Sequence, residues 1–419
     1  MNIRLRNNTA KTIPLFLILF SIVFKDLFNI AGFFIGIELV VLYYTMPLIV
    51  SVFYVLLNMS DFKSNECYVF YIASALVNLL IFLFNNAWLD NYSFYQIALI
   101  IYSQFVIAII IATLSMFAYE VAFRALIYTW CTTFIIVIIS FIVHMVFVYL
   151  NAEVVKLFYL KLYEAHLVVN PFQSSSSGLD IRFSSIFSSS LSLGYFCAIS
   201  VIFLTLFRMK WLTRVLLVVL IGFMVYFSFN RNSYFLFLFS VTASLLYLFR
   251  FNVCNFLPRA VFFLVVIFSL FLPFLILNYY DLGYGMYILD SGSVTKLSTL
   301  FSRFDSWYML FYDLDLDKFI FGSGVVQGIG DTQQYIDNGV YYMFFQSGFF
   351  SVAFYLFVIY LFVIKSAMVK SKEATISALC LSVGLLASLL NNIFYDNIFI
   401  VFSILVFSSY LKGVKSNGS

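Results

Sequence analysis

Apolar runs long enough to cross a lipid bilayer recur along the whole chain, and they constrain its fold more than any other feature. A spanning α-helix needs about 20 consecutive, mostly apolar residues. By this length criterion the sequence predicts about twelve membrane-spanning helices. They cover about residues 12–30, 31–57, 67–85, 93–118, 125–150, 191–207, 213–229, 233–249, 260–278, 339–364, 375–392 and 396–411.

The composition supports this reading. The chain is 64% hydrophobic and only 10% charged, whereas soluble domains are about half apolar and about a quarter charged. We therefore predict an all-α, polytopic membrane protein in which residues 1–419 form a single integral membrane domain. The formal net charge of +4 is too small to indicate nucleic-acid binding.

Two joints between the predicted helices are much longer than the others. They cover residues 151–190 and 279–338, and both are too polar to span a membrane and too long to be simple turns. We expect two large loops at these places.

Basic residues orient the predicted helices, because short loops rich in Lys and Arg stay on the cytoplasmic side. With a cytoplasmic N-terminus, the short outer joints contain only Lys25 and Arg231. The two large loops then face outward and the C-terminus is cytoplasmic. The inner segments hold 15 of the 23 basic residues: Arg4, Arg6, Lys11, Lys63, Arg124, Arg208, Lys210, Arg214, Arg250, Arg259, Lys365, Lys370, Lys372, Lys412 and Lys415.

Arginines on the predicted outer side are candidates for binding an anionic group. Arg231 stands between Asn230 and Asn232, and Arg182 precedes a serine-rich stretch that enters the next helix. A guanidinium offers a planar pair of donors to phosphate. The structural alternative is an interfacial arginine at Arg231 and a low-complexity surface loop around Arg182.

The second large loop adds two more candidates. Arg303 and Trp307 are four residues apart and share one face if the segment is helical, which suits a sugar phosphate. The alternative is an amphipathic helix lying on the bilayer. Asp313, Asp315 and Asp317 resemble the start of a calcium loop but lack its glycine and glutamate, so we predict no metal site.

Polar residues at helix ends complete the candidate set. Asp337 and Asn338 immediately precede the tenth predicted helix, where we expect Asp337 to be the N-cap. A role for Asp337 as a general base is the functional alternative. Glu38 and His144 are ionisable residues inside predicted helices, which makes them functional candidates.

An ordered series of these motifs resembles the O-antigen polymerase and ligase family of bacterial envelope glycosyltransferases. The series comprises Arg182 before a small-residue helix, Arg231 at a mid-chain helix pair, and "SRFDSW…FGSG…DN…Y…F…G" before a late helix. It covers residues from about 170 to 365. The resemblance implies that Arg182, Arg231 and Arg303 bind the pyrophosphate of undecaprenyl-pyrophosphate-linked glycans, with Trp307 and Asn338 as further substrate contacts.

One departure from the family pattern favours the polymerase. In ligases of this family, the resemblance implies a histidine in the second large loop, near the late helix. The second large loop of this chain contains no histidine, since the two histidines of the chain are His144 and His166. The expected activity is joining of lipid-linked repeat units at the periplasmic face of the bacterial inner membrane. Arg231, Arg303 and Asp337 are the expected catalytic residues. A ligase and a non-enzymatic flippase or transporter remain alternatives.

The same resemblance sets the expected partners. They are undecaprenyl-pyrophosphate-linked glycans, the lipid bilayer, and a chain-length regulator and flippase of the same pathway. We expect no cofactor and no nucleic acid.

Overall fold

A computed structural model of the protein describes residues 9–39, 41–59, 66–86, 97–98, 100–168, 171–175, 178–249, 253–281, 307–308, 310–312, 314–324, 336, 338–368, 372–389, 399 and 401. Most of these residues are helical, as the apolar runs predict. The helices are α1 Thr9–Val23, α2 Lys25–Ile35, α3 Val41–Leu57, α4 Glu66–Asn86, α5 Ile107–Glu164, α6 Ser190–Phe203, α7 Trp211–Phe227, α8 Arg231–Leu248, α9 Val253–Asp281, α10 Leu316–Phe321, α11 Gly339–Met368 and α12 Lys372–Ser388.

Several helix ends agree with the sequence analysis to within a few residues. The helix predicted at 67–85 is α4, and the helices predicted at 213–229 and 233–249 are α7 and α8. A π-helical turn, Ile101–Val106, precedes α5, and a 3₁₀ turn, Leu204–Leu206, follows α6. The helix predicted at 396–411 lies outside the described residues except for residues 399 and 401.

The first two predicted helices are divided differently. The chain bends by 69° between α1 and α2, so the predicted helix 12–30 contains a break. The polar pair after the break has partners. Lys25 Nζ lies 5.0 Å from the centre of the Tyr43 ring, and Asp26 accepts a hydrogen bond from the backbone N–H of Ser188 at 2.8 Å. The predicted helix 31–57 is interrupted where α2 ends at Gly36 in the left-handed conformation (φ 74°).

α5 is much longer than predicted. Residues 119–124, expected as a short cytoplasmic joint, are helical, and their sequence contains no glycine or proline that would end a helix. The helical state also continues through residues 151–164, which were expected to belong to the first large loop. The first part of the predicted large loop is therefore helical, and its place outside the membrane stays a prediction.

α5 is nevertheless not straight at its C-terminal end. The ring centres of His144 and Tyr159 are only 5.9 Å apart, although 15 residues of straight α-helix would separate them by about 22 Å. The helix must bend sharply between them. Asn151 lies in this interval, and its side chain accepts a hydrogen bond from the backbone N–H of Val154, as an N-cap does. We call residues 136–147 and 154–162 the two arms of α5.

The remainder of the first predicted loop contains an antiparallel β-hairpin, β1 Phe172–Ser175 with β2 Gly178–Ile181. The sequence analysis did not predict it. The second predicted loop is described only in part, and it contains α10. Gly322 follows α10 and lies against a break in α11 at Gly348, and both glycines have positive φ angles. A Cβ on Gly322 would lie 2.7 Å from three backbone atoms of residues 346–348, so the two segments need glycine here.

Four of the described helices are long and apolar enough to cross a bilayer, and the bent pair α1–α2 would make a fifth. They are α4, residues Val121–Glu164 of α5, residues Phe256–Asn278 of α9, and residues Gly339–Ser366 of α11. α3, α7 and the segment Ser190–Leu206 are apolar but shorter. The structure thus describes a helical protein with several apolar helices of membrane-spanning length, and the count of about twelve spans stays a prediction.

Candidate functional site

The candidate site is built on a closely packed pair of parallel helices, α6 and α8. Gly194 of α6 lies so close to Ser233 of α8 that a Cβ at position 194 would overlap the serine side chain. Further along, Ser244 Oγ donates to the carbonyl of Val201 at 3.4 Å. Because positions 194 and 201 meet positions 233 and 244 in the same order, the two helices run parallel. Small residues permit this close approach.

The N-termini of α6 and α8 therefore lie at the same end of the protein. Ser189 caps α6 by accepting a hydrogen bond from Ser192 N–H, and Asn230 caps α8 by accepting from Asn232 and Ser233 N–H. Arg231 is the first residue of α8 and is exposed. A helix N-terminus carries a partial positive charge, so an arginine there adds to a field that attracts anions.

Arg182 lies beside this end of the pair. Its own N–H donates to the carbonyl of Pro171, and the N–H of the following Phe183 donates to the carbonyl of Phe227, the last residue of α7, at 2.9 Å. Only Ser228, Phe229 and Asn230 separate that carbonyl from Arg231. The structure thus places Arg182 and Arg231 on neighbouring segments, although they are 49 positions apart in the sequence.

The guanidinium of Arg182 is half-buried and uncompensated. Its Nε is buried and has no hydrogen-bond partner among the described residues, and none of them forms an ion pair with it. Burial lowers the pKa of Arg182 from its ordinary value. Removing a cation from water without a counter-ion costs free energy, so an anion bound here would be favourable.

Backbone conformations near both arginines are unusual. Ser185 and Phe229 have φ angles of 57° and 48°, a region that residues other than glycine rarely adopt. Such conformations persist where the surrounding structure enforces them, and they cluster at functional sites.

Asp26 is a residue at this end that the sequence analysis missed. Its hydrogen bond to Ser188 N–H fixes the segment between Arg182 and α6 to α2, 162 positions earlier in the sequence. The available signal was the charged pair Lys25–Asp26 inside an otherwise apolar stretch. Asp26 is a positioning residue for this segment.

Trp307 and Asn338 form a different, fully packed group around Tyr341. The Trp307 ring is buried and contacts the Tyr341 ring edge-on, with ring centres 5.3 Å apart. Asn338 is completely buried. Its Oδ1 accepts from Tyr341 N–H at 3.0 Å, and its Nδ2 donates to the carbonyl of Leu389 at 3.0 Å. Asn338 therefore caps the N-terminus of α11.

The arginine segments and the group around Tyr341 lie at the same end of the molecule. α12 runs antiparallel to α6, because Gly384 lies against Tyr195 near the start of α6 while Lys372 Nζ reaches the carbonyl of Leu206 beyond its end. Leu389 follows α12 directly and holds Asn338 at the end where α6 and α8 begin. Arg303 and Asp337 lie outside the described residues.

Basic residues gather at the opposite end of α6. Arg214 donates to the carbonyl of Phe207 at 3.1 Å. Burial lowers the pKa of Lys372. Glu373 raises this pKa, and the neighbouring Arg214 and Arg208 lower it. Basic residues thus lie at both ends of α6, and the orientation of the helices across a membrane stays a prediction.

The arrangement can bind an anion, and among the described residues no group of three or more His, Cys, Asp or Glu side chains is placed to hold a metal ion. Comparisons with protein-family models, with curated proteins and with solved structures give no significant match to this chain.

Proposed function

We propose that the protein is an O-antigen polymerase, which joins undecaprenyl-pyrophosphate-linked repeat units at the periplasmic face of the bacterial inner membrane. The observation that carries the proposal is the uncompensated guanidinium of Arg182 beside the α8 N-terminus and Arg231. A phosphate or pyrophosphate group would supply the missing negative charge, and arginine forks bind such groups bidentately.

The proposed topology has about twelve spanning helices, two large periplasmic loops and cytoplasmic termini. Arg208, Arg214 and Lys372, which the charge count assigns to the cytoplasmic side, lie together at the end of α6 that is away from Arg182 and Arg231, as this topology requires. The chain-length regulator and flippase of the same pathway remain proposed partners.

The proposed reaction breaks the bond between the sugar and the departing pyrophosphate. The hydroxyl oxygen of the acceptor sugar forms the new glycosidic bond, and its proton passes to a base, for which Asp337 is the candidate. Negative charge grows on the pyrophosphate as it leaves. Permanently charged arginines stabilise that charge in a poorly solvated site. Arg303 is the proposed third arginine. Trp307 and Asn338 were expected as substrate contacts, but both are buried, and we propose that they hold the surface around α11 instead.

A test of the arginines uses a deletion strain complemented with variants. Because lysine cannot reproduce a bidentate fork, we expect Arg182→Lys and Arg231→Lys to lose polymerisation nearly as completely as the alanine variants. Lys156→Ala is the control, since Lys156 is a surface cation paired with Glu153 at 3.7 Å. Full activity of both lysine variants would overturn the proposed bidentate binding of phosphate by the two arginines.

The deletion strain itself distinguishes the alternatives. Loss of a polymerase leaves single repeat units that a separate ligase still transfers, so lipopolysaccharide should show core plus one repeat and no ladder. Bare core with lipid-linked polymer accumulating would identify a ligase instead. An unchanged ladder would exclude both enzymes and favour a flippase or transporter of another substrate.

A further inference from the structure

A cavity of about 600 Å³ lies between the two arms of α5. Its remaining walls are formed by Leu27 and Ile30 of α2, by Val168 and by the segment 183–186. Its volume is within the range of small-molecule sites. It does not belong to the arginine site, although Phe183 of its wall directly follows Arg182.

The rim of the cavity is apolar and open. Ile139 on the first arm is 54% exposed, and Phe147 and Phe158, on opposite arms, are both exposed as well. In a protein whose helices cross a membrane, such a rim meets lipid chains rather than water. A ligand reaching the cavity from the bilayer would therefore present hydrocarbon.

The interior contains a polar ring, that of His144, which forms no hydrogen bond with its described neighbours. His144 lines the cavity and is 9% exposed, and its ring contacts those of Phe183 and Tyr159 at 5.0 and 5.9 Å. No described residue forms a hydrogen bond with its nitrogens. Ser140 and Ser185 also line the cavity, and their Oγ atoms form a hydrogen bond with each other at 2.5 Å. A buried imidazole without a partner is costly, so a ligand with a polar atom would be stabilised here.

We infer that this cavity binds a hydrocarbon chain of an amphiphilic lipid, which enters between the arms of α5 and places an oxygen atom of its polar end at His144. The chain could belong to a bilayer phospholipid or to an isoprenoid phosphate, and both share the chemistry that the cavity recognises. The inference requires no glycosyl transfer, so its test does not depend on the proposed function.

The test uses the purified full-length protein in nanodiscs and two photoreactive probes. One is phosphatidylethanolamine with a diazirine in its acyl chain, and the other is farnesyl phosphate with a diazirine in its isoprenoid chain. We expect crosslinks in peptides containing residues 136–147 or 154–162. Labelling by one probe alone assigns the source of the chain. Absence of label from both peptides with both probes would overturn the inference.

A matched pair of variants makes the test specific. Ile139→Trp fills the cavity from its open side, whereas Ile142→Trp adds the same bulk to a residue that is equally exposed at 54% and does not line it. Label in the two peptides should fall severalfold in Ile139→Trp and stay at the wild-type level in Ile142→Trp. Equal labelling of the two variants would show that the crosslinks come from lipid around the protein.

His144→Phe tests the polar contact. Phenylalanine keeps the ring packing against Phe183 and Tyr159 but cannot form a hydrogen bond, so probe retention should fall about fivefold. His144→Gln should restore part of the retention, since an amide can donate and accept. Unchanged retention in His144→Phe would refute the role of His144, and the measurement involves no glycan, so it is independent of polymerase activity.

Discussion

Arg182 and Asn338 lie at the same end of the molecule, yet only Asn338 has hydrogen-bond partners for all of its buried side-chain polar atoms. Asn338 is completely buried, and both ends of its amide are used within the protein. Arg182 is only half-buried, and its buried Nε has no partner among the described residues. The hydrogen bonds of Asn338 stabilise the fold, which accounts for a buried polar residue at that position. A half-buried charge without a partner does not stabilise the fold, so its presence needs another reason. The difference indicates that the arginine side of this end is available for a ligand and the α11 side is scaffold.

The largest effect should come from the contact that sets the geometry of the arginine side. Gly194→Val would force a side chain into Ser233, so we expect a loss of about 3 kcal/mol or more of unfolding free energy, or failure to fold. Thermal unfolding in detergent measures it. Gly222→Val is the control, since a Cβ there meets only the movable Phe237 ring at 3.3 Å. Equal losses would mean that the parallel pair tolerates separation.

Next in size is the loss of Asn338. Asn338→Ala removes an N-cap and a buried hydrogen bond to Leu389, so the unfolding free energy should fall by about 2 kcal/mol. Asn230→Ala is the matched variant, because Asn230 caps α8 but is only partly buried. If denaturant unfolding shows equal losses, Asn338 is no more structural than Asn230, and the comparison with Arg182 fails.

Replacement of Arg182 should change stability in the opposite direction. Arg182→Met keeps a long side chain and removes the half-buried cation. Because solvent screens a half-exposed charge, stability should rise by only about 0.5 kcal/mol, while the proposed polymerisation is lost. Unfolding midpoints and the lipopolysaccharide ladder measure the two effects. A clear fall in stability would indicate that Arg182 has a structural partner and would remove the contrast with Asn338.

The smallest effect concerns Asp315, the exposed cap of α10. The backbone N–H of Lys318 is the main cause that lowers the pKa of Asp315. A lowered folded pKa means that the cap stabilises α10 above the unfolded pKa, about 3.9, and that this contribution is lost as the pH falls through the folded pKa. Hydrogen exchange at Lys318 should therefore speed up in acid relative to its intrinsic rate. Asp315→Asn keeps an acceptor and should abolish this pH dependence.

The sequence predicted the helices better than their bends. A run of apolar residues reports how long a helix can be, so the bounds of α4, α7 and α8 were predicted well. The apolar run does not indicate where contacts with distant residues stabilise a bend in the helix. The bend before Lys25 depends on Tyr43 and Ser188, which are distant in sequence.

The candidate site was predictable only in its residue types. Arginines on the outer side follow from charge counting, but the adjacency of Arg182 and Arg231 depends on the bond between Phe183 and Phe227. At the start of α11, Asp337 and Asn338 both suit an N-cap in the sequence, and the contact that the structure describes is the one from Tyr341 N–H to Asn338. Whether a side chain is satisfied depends on its neighbours in space, as Asn338 with Leu389 illustrates.

The parallel arrangement of α6 and α8 also has a consequence for synthesis. Ser233 emerges from the ribosome 39 positions after Gly194, so the contact cannot form until α7 has been made and has turned the chain around. At roughly 5–20 residues per second, α6 waits about 2–8 s for its partner. We expect a pulling force on the nascent chain when α8 docks, which an arrest peptide placed downstream of α8 would detect. Gly194→Val should abolish that pulse while leaving the earlier insertion of α6 unchanged.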